Sequence, residues 1–450
     1  MQKRTVIGLV YTILSAAIII SGTVLAVRWA NGDFRRDHNS GLMASETGLL
    51  NATSTPIGAQ VYIDGRLNTA TDNVVYLQPG IYQIAIHKDG YSNWQKTLQI
   101  ERGLVTNTAA KLFPNSPNLS SLTFTGAENL SISPDGQKLL FYTASASAEL
   151  RNGLYLLDIS GTNSSNPKNA KQIVPDDQRY NLANAEIIWS SDSSEFLLQT
   201  AEGNYLIPIT TVTNLSTQPD ITFQIPTLLS TWEEDIYLRE RDILSKFPPE
   251  IVRIATASAK NVYFSPDKKK LVYTATDSAT IAPNLVAALP AASTQIQERQ
   301  LVPGTIYVYD MHEDRNFKIG LESTIQAIDK NFLLADDVLQ KTPRSLVSSP
   351  SAFTRLQNNE STKTDQNFAT YYSSLYSHTW QWLSDSRHLV GMVNDKVAIV
   401  EYDGTNLTTI YSGPFFKNFV YPWADGSRIL ILTAFSPDSP LNIYGIELLR

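Results

Sequence analysis

The chain contains no cysteine among its 450 residues, which excludes disulfides, thiolate nucleophiles, iron–sulfur clusters and cysteine-based zinc sites. Histidine is also scarce. His38, His87, His312, His378 and His388 lie far apart in the sequence, whereas metal or base chemistry needs such groups clustered. Basic charge is never concentrated: with a net charge of −7 and a pI near 5.4, the chain lacks the surface that phosphate neutralisation requires, and a general nucleic-acid binder is excluded. The common catalytic signatures are missing too. There is no Gly-x-Ser-x-Gly elbow, no His-Glu-x-x-His, no Gly-x-x-x-x-Gly-Lys and no Gly-x-Gly-x-x-Gly, so the usual hydrolase, zincin and nucleotide sites are not encoded. Asp176-Asp177 and Asp336-Asp337 are isolated loop pairs, short of the oxygen ligands a calcium loop displays. His312-Glu313-Asp314 reads as a solvated charged turn. The sequence therefore nominates no catalytic residue, no cofactor and no metal ligand.

What is present is the composition of a folded protein, 42% hydrophobic and 18% charged, with one long apolar run. That run, opened by Val6 and closed by Val27, holds 22 residues without a charge. As a helix it would extend ~33 Å, enough for a hydrocarbon core of ~30 Å. Lys3 and Arg4 precede it, and Arg28 and Trp29 follow. A cleaved signal peptide has a shorter apolar region and a small-residue cleavage site, so residues 1–30 are expected to be a signal anchor that places the chain in a lipid bilayer through residues 6–27. Flanking charge does not decide orientation, because Arg28, Arg35 and Arg36 offset Lys3 and Arg4. Long domains translocate largely regardless of such charges. The expectation is a single-pass protein with its N-terminus cytoplasmic and its body outside.

Residues 31–47 are a polar tether, and 48–114 carry strand signals. Ile81-Tyr82-Gln83-Ile84-Ala85-Ile86 alternates with period two between Pro79-Gly80 and Asp89-Gly90, and residues 96–100 repeat the alternation. Pro56-Ile57-Gly58-Ala59, Val61-Tyr62-Ile63-Asp64-Gly65, Leu77-Gln78-Pro79-Gly80-Ile81-Tyr82 and Lys88-Asp89-Gly90-Tyr91 together resemble the PEGA domain. That resemblance implies a small β-sandwich of the cell envelope serving adhesion or interaction. Ile57 stands where the family usually has Glu. Tyr82, Tyr91 and Trp94 have two readings, a ligand-stacking surface or ordinary sheet packing, and packing is what strands favour.

From 115 to 450 a strand–turn–strand unit recurs around Asp135, Asp192, Asp267, Asp385 and Asp425, at separations of 57, 75, 118 and 40 residues. In Ser-Pro-Asp-Gly at 133–136, Pro fixes φ, the Asp side chain accepts from backbone amides and Gly tolerates a positive φ. The five aspartates are therefore read as structural blade turns, since no second carboxylate recurs at a fixed offset. A third strand follows each turn and a fourth follows most, the pattern of propeller blades. Residues 228–255 (Trp232, Ile236-Tyr237-Leu238, Ile251-Val252-Arg253-Ile254) are read as a degenerate further blade, giving about six blades, with room for a seventh. The strand at Ser121-Leu-Thr-Phe124 is expected to complete the last blade. These turns resemble TolB-like propellers, a likeness that implies architecture and leaves function open among scaffolds, sensors and gating domains.

Two insertions, 276–304 and 339–376, exceed ordinary connections, and Leu285-Val-Ala-Ala-Leu289 is read as a short apolar helix. The fold class expected is thus an all-β body behind one transmembrane helix, a PEGA-like sandwich followed by a β-propeller. The function expected is a non-enzymatic envelope interaction or scaffold protein that binds a protein or glycan. The alternative is an enzyme, of glycan lyase or hydrolase type, with an unrecognised site in the propeller channel.

Overall fold

The computed structural model describes residues 19, 21–23, 47–144, 152–161, 170–177, 179–287, 289, 293–322, 380–417, 419–436 and 439–449. Most of the expected span 6–27, the tether up to residue 46, His38, His378, Asp336-Asp337 and the insertion 339–376 lie outside them. Among the described residues no helix is long and apolar enough to cross a membrane. The body is all-β with few helices, divided among many small sheets. Its described residues form two compact units, one within Met1–Lys88, Trp94–Lys111 and Pro290–Thr294, the other within Asp89–Asn93, Leu112–Leu289 and Gln295–Arg450.

The first unit contains β1 (Gly48–Ala52), β2 (Ser54–Thr55), β3 (Gln60–Ile63), β4 (Arg66–Ala70), β5 (Asn73–Leu77), β6 (Gly80–His87), β7 (Trp94–Ile100), β8 (Val105–Asn107) and β9 (Ala110–Lys111). They make a three-stranded sheet in the order β5-β1-β8, a four-stranded sheet β4-β3-β6-β7 and a parallel pair β2-β9. Strand β7 shows why: Trp94, Lys96, Leu98 and Ile100 are buried while Gln95, Thr97 and Gln99 are exposed, the alternation a pleated strand imposes. The two larger sheets meet closely at Gly48, where a Cβ would lie 2.3 Å from the Glu101 carbonyl and 2.6 Å from Ile100 Cγ2. Only glycine fits there.

The second unit begins with β10 (Leu119–Ser121). The first sheet follows as β11 (Glu128–Ile132), β12 (Lys138–Thr143), β13 (Gly153–Asp158) and β14 (Lys171–Pro175), and the second as β15 (Glu186–Trp189), β16 (Glu195–Gln199) and β17 (Asn204–Pro208). Next come helices α1 (Ile225–Leu244) and α2 (Pro249–Ala257). The third sheet is β18 (Ala259–Phe264), β19 (Lys270–Ala275), β22 (Thr305–Asp310) and β23 (Arg315–Leu321), with the hairpin β20 (Ala279–Thr280) and β21 (Gln300–Leu301) inserted after β19. The fourth is β24 (Trp380–Trp382), β25 (His388–Val393), β26 (Lys396–Glu401) and β27 (Thr408–Tyr411), and the fifth β28 (Val420–Pro422), β29 (Arg428–Thr433) and β30 (Asn442–Glu447). Strand β10 pairs antiparallel with β30, Leu119 opposite Ile446 and Ser121 opposite Tyr444. The completing strand thus lies two residues earlier than the sequence suggested.

Packing between these sheets runs in a cycle. Leu140, Leu154 and Ile173 of the first sheet meet Ile188, Phe196 and Leu198 of the second, which also hold Leu229, Trp232 and Ile236 of α1. The end of α1 and helix α2, through Leu244, Ile251 and Ile254, pack on Leu271, Tyr273 and Tyr309 of the third sheet. The third meets the fourth through Val272, Val308, Trp380 and Leu389, and the fourth meets the fifth through Val390, Ile399, Ile429 and Ile431. The fifth returns to the first through Leu430, Leu432, Leu139 and Phe141. Central strands therefore have both faces covered. That is why β19 and β22 are buried at every residue and read as continuous apolar runs instead of alternating ones.

Three sequence expectations are corrected. The region 228–255 is helical, not a sixth blade: Leu229, Trp232 and Ile236 recur at helical spacing and all face inward, and Pro226 and Pro249 sit in the first turns of their helices, where proline costs nothing. Five three- or four-stranded sheets are present in the second unit among the described residues. Residues 285–287 and 289 form no helix, because the Leu285 amide donates to Asp314 Oδ2 at 2.9 Å and Asn284 adopts φ 61°. The turn His312-Glu313-Asp314 is not wholly solvated either: Asp314 is buried, 3.1 Å from Arg299 Nη2, and Tyr309 donates its hydroxyl to the same carboxylate at 2.8 Å. This pair fastens the 276–304 insertion to the third sheet. Arg299→Ala leaves a buried carboxylate without its cation and should cost about 3–5 kcal/mol. Chemical denaturation followed by tryptophan fluorescence measures it, and removing both partners should restore most of the loss.

Candidate functional site

The five aspartates occupy equivalent places in the five sheets, at the turn between the first and second strand. In each, Oδ1 accepts the amide two residues on: Gln137 at 3.0 Å, Ser194 at 3.0 Å, Lys269 at 3.1 Å, Arg387 at 2.9 Å and Ser427 at 2.8 Å. In the first three sheets a serine two residues earlier also donates, Ser133 at 2.5 Å, Ser190 at 2.7 Å and Ser265 at 2.6 Å. Asp135 takes Lys138 Nζ at 2.8 Å. Asp385 holds His388 Nδ1 at 2.9 Å, which places the one histidine buried among the described residues in a structural role.

The residue after each aspartate has positive φ: Gly136 69°, Ser193 61°, Lys268 61°, Ser386 55° and Gly426 72°. The sequence motif pointed to glycine for this conformation, yet three of the five are not glycine. The reason lies in the neighbouring sheet. Ser193 Oγ accepts the Asp135 amide at 3.2 Å and Ser386 Oγ accepts the Asp267 amide at 3.0 Å. Gly426 abuts Ser384, whose Oγ would lie 2.5 Å from an added Cβ, and Gly136 abuts the Tyr421 hydroxyl at 2.9 Å. Each of these residues touches the sheet before it in the cycle, so the turns interlock at one end of the unit.

The third sheet is the exception, since α1 precedes it. There Lys268 feels Arg239 and Glu240 of the helix. Loss of surrounding water first, then the Arg239 guanidinium, hold its ammonium below the ordinary value. Helix α1 in turn grips the second turn, with Arg239 Nη1 donating to the Ser191 carbonyl at 3.1 Å and Ser191 Oγ donating to Asp235 Oδ2 at 3.0 Å.

The Asp135, Asp192 and Asp267 carboxylates are committed to hydrogen bonds within their own turns, and that lowers their pKa values. Asp192 is lowered by the Ser190 and Ser194 hydroxyls and the Ser194 amide. In Asp135 and Asp267 burial acts to raise the value, but it is outweighed, by Lys138, Ser133 and the Gln137 amide in one and by Ser265 and the Lys269 amide in the other. Two polar atoms at this end stand apart. Arg387 Nε, in the fourth turn, and Asp425 Oδ2, in the fifth, are buried without a hydrogen-bond partner. They offer a donor and an acceptor from adjacent turns, a feature no sequence motif signals. Among the described residues no group of three His, Asp or Glu side chains could hold a metal.

In the first unit Trp94 is buried, and Tyr82 is half-buried with its hydroxyl on the Gln78 carbonyl at 3.0 Å. Packing accounts for both.

Residues 47–116 match the PEGA domain family model. No curated protein matches the chain. Among solved structures, oligogalacturonate lyase from Vibrio parahaemolyticus is similar at 9% identity, covering 74% of this chain and 93% of that one with a TM-score of 0.30. TolB from Acinetobacter baumannii is similar at 12% identity, covering 81% and 59% with a TM-score of 0.17. An auxiliary nutrient binding protein from Bacteroides thetaiotaomicron is similar at 10% identity, covering 87% and 82% with a TM-score of 0.18. At these scores no activity of those proteins is read onto this one.

Two outcomes are expected of the turns. Ser193→Ala loses the acceptor and keeps the strained φ, costing about 1–2 kcal/mol, whereas Ser193→Gly relieves the strain and should be near neutral. Denaturant midpoints of the two variants separate them. Acid should also unfold the unit through these groups. Their folded pKa values lie below the ordinary 3.8, so the unfolded chain binds protons first. Their contribution is complete above that value and drains as the pH falls through the depressed ones. Melting followed from pH 5 to 2 should show a shallower fall for Asp192→Asn than for the parent.

Proposed function

We propose that this chain is a membrane-anchored interaction or scaffold protein of the cell envelope, with its N-terminus cytoplasmic and its body outside. In this reading residues 6–27 hold it in the bilayer. The PEGA module and a five-bladed propeller, with α1 and α2 set between the second and third blades, present surfaces to a protein or glycan. It is a binding protein and not an enzyme.

The observation that carries the reading is the pair of unpartnered buried atoms at the turn end, Arg387 Nε and Asp425 Oδ2. A buried polar atom costs free energy until it is paired. A donor and an acceptor in adjacent turns suit groups that offer both senses together, such as glycan hydroxyls or a peptide backbone. The surrounding turn carboxylates support recognition over catalysis, because each binds its own backbone amides instead of standing ready as acid, base or metal ligand.

Two measurements test this. Protease added to intact cells should digest the body, and a fully protected body would sink the assigned orientation. Immobilised full-length protein should retain an envelope glycan or protein that Arg387→Met retains at least ~10-fold less well, since a lost charge-assisted hydrogen bond is worth about 1.5–3 kcal/mol. Equal retention by the variant would remove the turn end from consideration.

A further inference from the structure

Strand β5 of the PEGA module is an open edge. It pairs with β1 on one side, Leu49 opposite Tyr76 and Asn51 opposite Val74, and among the described residues the sheet order β5-β1-β8 puts no strand on the other. Which of its backbone groups face outward follows from β1. The Leu49 amide donates to the Leu104 carbonyl at 2.9 Å and the Asn51 carbonyl accepts the Thr108 amide at 3.2 Å, so Leu49 and Asn51 spend their backbone groups on the β8 side. Alternate residues of β1, Gly48, Leu50 and Ala52, therefore serve β5, and their partners there are Leu77, Val75 and Asn73. That leaves Val74 and Tyr76 with amide and carbonyl pointing away from the sheet. The Asn73 side chain confirms the direction by capping the outward Val74 amide at 2.9 Å.

Such an edge is a template for another strand, and proteins usually blunt it with lysine, proline or a bulge. Strand β5 carries none of these. Its sequence is Asn-Val-Val-Tyr-Leu, uncharged and rich in strand formers, and its outer face is apolar, with Tyr76 62% and Val74 44% exposed. The other strands at the sheet edges are shorter or charged: β8 has three residues and β4 opens on Arg66.

We infer that β5 pairs with β5 of a second copy of this chain, antiparallel about a two-fold axis at Val75, joining two three-stranded sheets into one of six. The register is self-complementary. It sets Val74 opposite the partner's Tyr76 and Tyr76 opposite the partner's Val74, so the outward groups of the two residues meet complements, the Val74 amide exchanging its Asn73 side-chain acceptor for the partner's Tyr76 carbonyl. Both cross-strand pairs combine an aromatic with a β-branched residue, a favourable combination. The central Val75 pair brings its Cα atoms to about 4.5 Å. An identical strand satisfies this edge without any charge to bury, which is what a closed isologous contact requires.

The absence of cysteine makes the test direct, because one introduced thiol is unique. A non-hydrogen-bonded antiparallel pair lies within disulfide reach. Full-length Val75→Cys in detergent, under mild oxidation, should form disulfide dimers at least ~10-fold faster than Gln95→Cys, whose thiol sits on the edge strand β7 at a position more exposed than Val75. Adding Tyr76→Lys, a charge on the exposed edge, should return the rate to that of Gln95→Cys while the melting curve stays unchanged. Cross-linking of Val75→Cys no faster than the control overturns the inference. So does cross-linking that survives Tyr76→Lys, and so does a monomeric mass for the unmodified chain by light scattering across the concentrations used.

Discussion

The second unit depends on a single turn used five times. An aspartate folds back on the amide two residues ahead, and the residue between is thereby held at positive φ, a conformation that aims it at the neighbouring sheet. Where that residue is serine, its hydroxyl receives the neighbour's aspartate amide, as Ser193 does for Asp135 and Ser386 for Asp267. Where it is glycine, the neighbour comes close enough to exclude a side chain, Tyr421 against Gly136 and Ser384 against Gly426. The same few atoms thus end a hairpin and register one sheet against the next. A turn that did only the first would leave the sheets free to slide over their apolar faces, because burial is not directional.

Between the turns, two-sided burial governs what the strands contain. Leu139 and Phe141 face the fifth sheet while Leu140 and Tyr142 face the second, so consecutive residues serve different interfaces. The charged groups Lys270 and Asp310 survive in these layers because they are engaged. Lys270 lies 3.5 Å from the Asp310 carboxylate and 4.8 Å from the ring centre of Tyr402 across the interface with the fourth sheet. Asp310 also accepts the His312 and Glu313 amides. A lysine there without that carboxylate and that ring would be a charge buried at a cost of several kcal/mol.

The turns were the most legible feature of the sequence, because Asp followed by strand-forming residues is a local signal with a local cause. Four strands per unit were also legible wherever turns spaced them. What could not be read was anything decided by a distant partner. The interlocking role of Ser193 and Ser386 depends on a sheet that the motif does not contain. The helices at 225–257 were misread as strands because Ile236-Tyr237-Leu238 and Ile251-Val252-Arg253-Ile254 satisfy strand propensity over four residues. The helical spacing of Leu229, Trp232 and Ile236 emerges only over eight. Asp314 looked solvated because Arg299, which pairs with it, arrives from the insertion 276–304. At the candidate site, Asp425 was legible as a turn residue, but not as the holder of a buried unpaired oxygen, since that follows from how the turns pack.

The contact that completes the cycle joins residues more than 300 positions apart, and bringing such distant segments together carries the largest loop-closure entropy in the unit. Strand β10 has only three residues with which to offset it. The deficit is made up by side chains: Asn442 Oδ1 accepts from both Thr123 Oγ1 and the Gly126 amide at 3.0 Å, and Thr123 Oγ1 accepts the Ile443 amide at 2.9 Å. This network is buried, so each bond is stronger than on the surface and each loss leaves an unsatisfied group. A short strand and a buried polar clasp make closure depend on the five sheets already being in place. Contacts of such long range form late, and this one contributes its full stabilisation only once the cycle is otherwise complete.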